Sequence, residues 1–281
     1  MRTYEIILGV SFALIWSSAF TSARISMFDA PPFLLLSLRF FLSGIIAVVF
    51  AHIIGQSINF TKSEWVAIFI FGLCQNSIYL GLNFVAMQWI DASLAATIAS
   101  LLPLMVTILL WVFFKEVVSY LGLIGLVIGL SGLFLIIQST VSNEFNTIGI
   151  VLCLIGVIAL AIATIILRKS TGKNILMMIG LQMLVGSVSL FPVSVAFEVW
   201  EINWTIRLIA SFLYTTFFPG LIATLIWFKL LYSIGPIKAA SFHFLNPFFG
   251  VLIAHMILGE QLMWKLAVSY THLTLPTILL V

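Results

Sequence analysis

Residues 95–116 read AATIASLLPLMVTILLWVFFKE, and residues 239–260 read AASFHFLNPFFGVLIAHMILGE. Laid over each other, both open on a double alanine, carry a proline at the same place and close on a glutamate. The shift that aligns them is 144 residues: Ala95 and Ala96 fall on Ala239 and Ala240, Pro103 on Pro247, and Glu116 on Glu260. Without any gap, the same shift carries Ala19 to Ala163, Arg24 to Arg168 and Ser26 to Ser170. The chain is therefore read as a duplicated unit. Each copy has room for five membrane spans, an odd number, so the second copy is expected to enter the membrane upside down. Inverted repeats of this kind are a recurring transporter design, with the solute site near the midplane between the halves.

Outward from these stretches the chain is nearly all apolar. Of its 281 residues, 63% are hydrophobic and 7% charged, against about 25% charged in soluble domains. Apolar runs fall at about 6–26, 33–54, 65–88, 92–114, 119–138, 146–167, 175–197, 206–228 and 237–258, with a shorter tenth from 262. Most have the roughly 17–25 residues a helix needs to cross hydrocarbon. Lipid offers backbone groups no hydrogen-bond partners, so runs of this length are helices and not barrel strands. The links are short and hold turn residues, among them Asp29-Ala30-Pro31-Pro32, Gly55-Gln56-Ser57 and Gly235-Pro236. The expected fold is an all-α membrane protein, a ten-helix bundle of inverted five-span repeats with the lipid bilayer as its solvent. The repeats are placed at 1–141 and 142–267.

Charge gives the expected orientation. Counting sides alternately, one side collects Arg2, Lys62, Lys115, Arg168, Lys169, Lys173, Lys229, Lys238 and Lys265. The other holds Arg24, Arg207 and Arg39, together with Asp29, Asp91, Glu144, Glu198, Glu201 and Glu260. The positive-inside rule then puts the N-terminus in the cytoplasm and the chain in the inner membrane. A net charge of +3 is too small and scattered for a nucleic-acid partner. Cys74 and Cys153 lie within apolar runs, show no disulfide or metal-ligand spacing, and read as packing residues. There is no HExxH, phosphate loop or nucleophile elbow. The reading is thus a carrier and not an enzyme, without cofactor or metal, driven by a solute or ion gradient, with protons as the candidate coupling ion.

The stretch DASLAATIASLLPLMVTILLWVFFKEVVSYLGLIGLVIGLSGLFLI resembles the helix-pair signature of the EamA domain, in the drug/metabolite transporter superfamily. GPIKAASFHFLNPFFGVLIAHMILGEQL resembles its second copy, and PPFLLLSLRFFLSG and the early Trp16 support the likeness. The resemblance covers roughly residues 5–265. It implies ten helices, a central cavity, alternating access and a small-molecule substrate, such as an amino acid, metabolite or drug-like solute.

Polar residues within the spans are the candidate site. Arg39, a few residues into span 2, is costly in a bilayer; it either holds a fixed structural role or snorkels to the outer interface. Asn76, Tyr79 and Asn83 are spaced i, i+3 and i+7, which predicts one helix face. That face either lines a wet cavity or supplies interhelical bonds worth about 0.6 kcal/mol each. Thr97, Ser100 and Pro103 in span 4, and His243, Asn246 and Pro247 in span 9, are the corresponding polar positions there. The two prolines predict symmetry-related kinks, which serve either as hinges or as passive bends. His243 is the side chain most suited to titrate near neutrality, or else a hydrogen-bonded packing residue. Trp16 and Trp227 are placed to line an apolar cavity. Glu116 and Glu260, at the mouths of helix hairpins, are expected to complement the positive end of the helix that follows each. Gly125 and Gly129 form GxxxG in span 5, a packing face within the bundle or in a homodimer.

The end of the chain departs from the repeat. Span 10 should resemble GLIGLVIGLSGLFLII, but from Val268 the chain reads VSYTHLTLPTILLV. The run at 268–277 resembles a translated transposon-type sequencing adapter. Residues 268–281 are therefore expected to be a non-native tail, with the tenth helix truncated or replaced. The combined expectation is a secondary carrier of small solutes, with export as its direction; uptake, a membrane-embedded enzyme or a non-transporting subunit are the competing readings.

Overall fold

The computed structural model describes residues 2–116, 144–169 and 172–260. Among these residues every regular element is a helix. Helix α1 is Thr3–Ser26, α2 Pro32–Ile53, α3 Lys62–Ala86, α4 Ala92–Phe114, α5 Glu144–Ile166 and α6 Ile175–Phe197. A final helical stretch, Ile206–Leu258, is divided at Gly235, whose φ of 79° and ψ of 168° no helix can hold. It therefore makes two spans, α7 (206–234) and α8 (236–258). The ends fall within a few residues of those expected for spans 1–4 and 6–9. The expected spans 5 and 10, the GxxxG and the tail lie outside the described residues.

Local chemistry sets the helix starts. Thr61 Oγ1 accepts from the Glu64 N–H at 3.3 Å while the Glu64 carboxylate accepts from Thr61 N at 3.0 Å, a reciprocal cap for α3. Thr205 caps α7 likewise, accepting from Leu208 N at 3.1 Å. Pro32 supplies its preset φ at the first turn of α2.

The repeat is written into the backbone as well. The threonine caps of α3 and α7 are 144 residues apart. Both helices then open into an eight-residue π-helical segment, Gly72–Tyr79 in α3 and Thr216–Ala223 in α7, again 144 apart at each end. Helix α4 breaks at Ser100 and Leu101 and resumes as Leu102–Phe114; α8 passes through a 3-10 turn, Phe242–Leu245, and resumes as Asn246–Leu258. Each resumed helix ends in a left-handed residue, Lys115 at φ 56° and Gly259 at φ 70°.

The two halves interlock. Helix α1 packs on α7 and α8, and its repeat mate α5 packs on α3 and α4; α2 and α6 lie against each other along their lengths. The α2–α6 crossing is close because neither side chain intervenes at Gly44 and Gly180: a Cβ on Gly180 would stand 2.9 Å from the Gly44 carbonyl oxygen. Such small-residue contacts replace the hydrophobic drive that lipid cannot supply. The lipid-facing surface is correspondingly apolar, with Phe41, Val49, Phe69, Ile155 and Phe191 exposed.

Candidate functional site

The π segments place the site. A π turn widens the helix and frees backbone groups, and such turns are frequent where helices carry function. In α3 the segment turns Tyr79 toward α1, where its ring lies parallel to Trp16 at 6.3 Å with 7° between planes. In α7 the segment holds Pro219, which has no N–H to give its own helix. Between them is a small cavity lined by Trp16, Arg39, Tyr79, Asn83, Met87 and Pro219. Its volume of about 10 Å³ is room for about one water.

Arg39 is 4% exposed and does not snorkel. Its Nε and Nη1 make no hydrogen bond among the described residues, and neither of the two ion pairs there includes it. The guanidinium carbon lies 5.3 Å from the Phe40 ring. The Tyr79 hydroxyl and Trp16 Nε1 face each other without closing a hydrogen bond of normal geometry.

An aromatic column continues from this cavity through the bundle. Phe12 stacks on Trp16 at 5.4 Å and on Trp227 at 5.0 Å. His243 sits against the side of it, 6.1 Å from Trp16, 5.1 Å from Phe12 and 5.0 Å from Trp227. One turn along, Asn246 accepts from Ser17 Oγ at 3.2 Å, and its Nδ2 has no partner among the described residues. Trp16, Arg39, Tyr79, Asn83, His243 and Asn246 are thus brought into one buried region beside α1, joining the first half to α7 and α8 of the second.

The predicted single face of α3 is corrected by the π segment. Spacing by 3.6 residues fails through Gly72–Tyr79, so Asn76 is turned away from Tyr79 and donates to the Gln182 carbonyl of α6 at 2.9 Å. Asn83 borders the cavity but bonds the Tyr79 carbonyl at 2.7 Å and Cys153 at 3.4 Å. Thr97 and Ser100 are spent on their own helix, donating to the Ser93 and Thr97 carbonyls at 2.8 and 2.6 Å. Pro103 and Pro247 do not kink a continuous helix; each stands in the first turn of the helix that resumes after a break. Phe12 carries no signal that marks it in the sequence, whereas Ser17 and Gln182 are polar residues within expected spans and could have been found. Pro219 could have been found, because a proline within an expected span demands an explanation.

The helices that follow Glu116 and Glu260 lie outside the described residues; among the described residues each glutamate meets a partner in the other half. Glu260 accepts from Ala92 and Ser93 N–H at 3.0 and 3.1 Å, capping α4 in the other half. Glu116 pairs with Arg168, also in the other half, at 2.6 Å. A helix start leaves N–H groups unpaired, and the interlocked packing brings the start of α4 to the Glu260 carboxylate. Glu198 repeats the device, accepting from Phe33 and Leu34 N–H of α2 at 2.7 and 2.9 Å. At the same end of the bundle Asp29 takes two bonds from Arg207 and one from Thr205, each 2.8 Å. These donors hold its carboxyl below the usual carboxylate range.

Comparison with known proteins agrees with this architecture. The profile of the EamA-like transporter family matches residues 3–138 and again 147–281, with starts that are 144 residues apart. The chain is 24% identical over 264 residues to the uncharacterized transporter YvbV of Bacillus subtilis (strain 168), covering 93% of this chain and 86% of that one. It is 27% identical over 260 residues to the uncharacterized inner membrane transporter YedA of Escherichia coli (strain K12), covering 90% and 83%. A crystal structure at 15% identity superposes with a TM-score of 0.72 over 98% of this chain and 95% of that one, which shows a shared fold. A duplicated, multi-pass helical bundle with these relatives belongs to the EamA-like transporter family.

Proposed function

We propose that the protein is a secondary carrier that moves a small solute across the inner membrane by alternating access, in the direction of export. The observation that carries this reading is the small cavity between Trp16, Arg39, Tyr79 and Pro219, built from both halves at the level of the paired π segments. A binding site shared by two interlocked repeats is exposed to one side or the other when the repeats rock. Solute contact then falls to Trp16, Tyr79, Asn83, His243 and Asn246, while Pro103 and Pro247 mark the breaks about which α4 and α8 bend. The second half lies inverted to the first, and the basic inner loops keep the N-terminus in the cytoplasm. Protons are the coupling ion in this reading, and the chain works with no cofactor.

Counterflow in proteoliposomes holding the full chain, screened with amino acids, nucleosides, sugars and amphipathic drugs, tests the proposal. Trans-stimulated flux of at least one solute is expected. Absence of trans-stimulation across the panel, with correctly inserted protein, would contradict it.

A further inference from the structure

We infer that Arg39 is the receptor for a carboxylate on the transported solute, so that the substrate class is small amphipathic organic anions. This deepens the carrier reading and rests on it. A guanidinium buried away from water is costly unless charge or hydrogen bonds compensate it. Arg39 is 4% exposed, and neither Nε nor Nη1 has a hydrogen-bond partner among the described residues. Neither ion pair among the described residues involves it. Gly220, in the π segment of α7, lies alongside its Nε without bonding it.

What the guanidinium does face is the cavity, which it lines together with Trp16, Tyr79 and Met87. The planar fork of an arginine matches a carboxylate, with paired and charge-assisted hydrogen bonds. The same cavity offers apolar surface from Phe20, Phe84 and Met87, and two further donors in Trp16 Nε1 and the Tyr79 hydroxyl. A solute that satisfies all of these has an anionic head and a compact apolar body. The repeat gives an internal control: the position 144 residues on is Met183, a buried apolar residue. The cation belongs to the site and not to the scaffold.

The test uses the full chain in detergent and reads its thermal unfolding midpoint. Probes are 3-phenylpropionate and indole-3-acetate, each against its uncharged amide, at constant ionic strength. The carboxylates are expected to raise the midpoint of the wild type and the amides to leave it unchanged. Arg39→Gln should weaken apparent affinity for the carboxylates about tenfold or more, Arg39→Lys should keep part of it, and neither should lower the midpoint without ligand. Equal responses to acid and amide, or no response to any carboxylate, would overturn the proposal, and this comparison on the wild type decides even where Arg39→Gln yields no folded protein. Membrane fatty acids carry the same head group, so a laurate arm distinguishes a lipid-borne source from a soluble one. Carboxylate binding without counterflow would count against the carrier reading alone; counterflow confined to neutral solutes would count against Arg39 alone.

Discussion

The pairs α3–α4 and α7–α8 have the same backbone and opposite interiors. Both pass from a threonine cap through a π segment, and both break before a proline and end in a left-handed residue, at positions 144 apart. Yet the cavity beside Tyr79 and Pro219 lies against α1, lined by Trp16, Ala19 and Phe20. Trp16, Arg39, Tyr79 and His243 correspond to Leu160, Met183, Ala223 and Ala99, all buried and apolar. Duplication supplies the frame, whose breaks and widened turns come in pairs. In the proposed carrier the polar contacts stand in one copy of the surroundings, because a single solute needs one set of them. A second buried set would only cost desolvation.

Exchanging residues between the copies is the strongest way to break this comparison. Leu160→Trp puts an indole into a packed interior where overpacking costs about 1–3 kcal/mol or more. The monodisperse fraction after detergent extraction is expected to fall to a small part of the wild-type value. The reverse exchange, Trp16→Leu, should leave a folded protein whose counterflow is reduced about tenfold or more, since it removes a cavity wall and the stacking partner of Tyr79. Comparable transport in Trp16→Leu and wild type would end the assignment of the cavity to this side.

The glutamates sharpen the comparison at smaller scale. Glu260 caps two N–H groups of α4, whereas Glu116 makes one half-exposed ion pair with Arg168. Glu260→Gln should therefore cost about 1 kcal/mol. Glu116→Gln should cost no more than about 0.5 kcal/mol, as exposed pairs contribute little. Thermal midpoints of the two variants, measured side by side, check the order.

A still smaller effect is tied to pH. Burial and the neighbouring Glu260 push the Asp91 carboxyl above its ordinary value. Between about 3.9, the unfolded value, and that raised value, the folded state keeps a proton that the unfolded state has lost. Stability therefore declines as pH climbs through this window and is flat above it. Asp91→Asn should abolish that decline and slightly raise the midpoint at pH 7, as seen in melting curves taken across the acid range.

Much of the frame was legible in the sequence because hydrophobic length and turn residues are local signals. The 92–114 and 175–197 runs coincide with α4 and α6, and the shift read from alanines, prolines and glutamates is the one that relates the π segments. What was not legible depended on contacts between distant elements. Nothing in GLCQNSIY announces a π turn, so Asn76 was placed on the face of Tyr79 when it belongs to α6. Glu260 reads as a cap, but only interlocked packing decides that the capped helix starts at Ala92. Arg39 reads as a costly cation near an interface; its inward orientation emerges only once α7 closes over it.

The central claim is that one side of a duplicated frame, beside α1, holds the solute. Ala19 lines the cavity while its repeat mate Ala163 is fully buried, so the two positions report on equivalent places. The decisive measurement is the reaction of Ala19→Cys and Ala163→Cys, each in a Cys74→Ser background, with a small methanethiosulfonate reagent in proteoliposomes. The account predicts that Ala19→Cys reacts and is protected by a solute that shows counterflow, while Ala163→Cys stays unmodified. Equal labelling at both positions, or solute protection at Ala163→Cys alone, would contradict it.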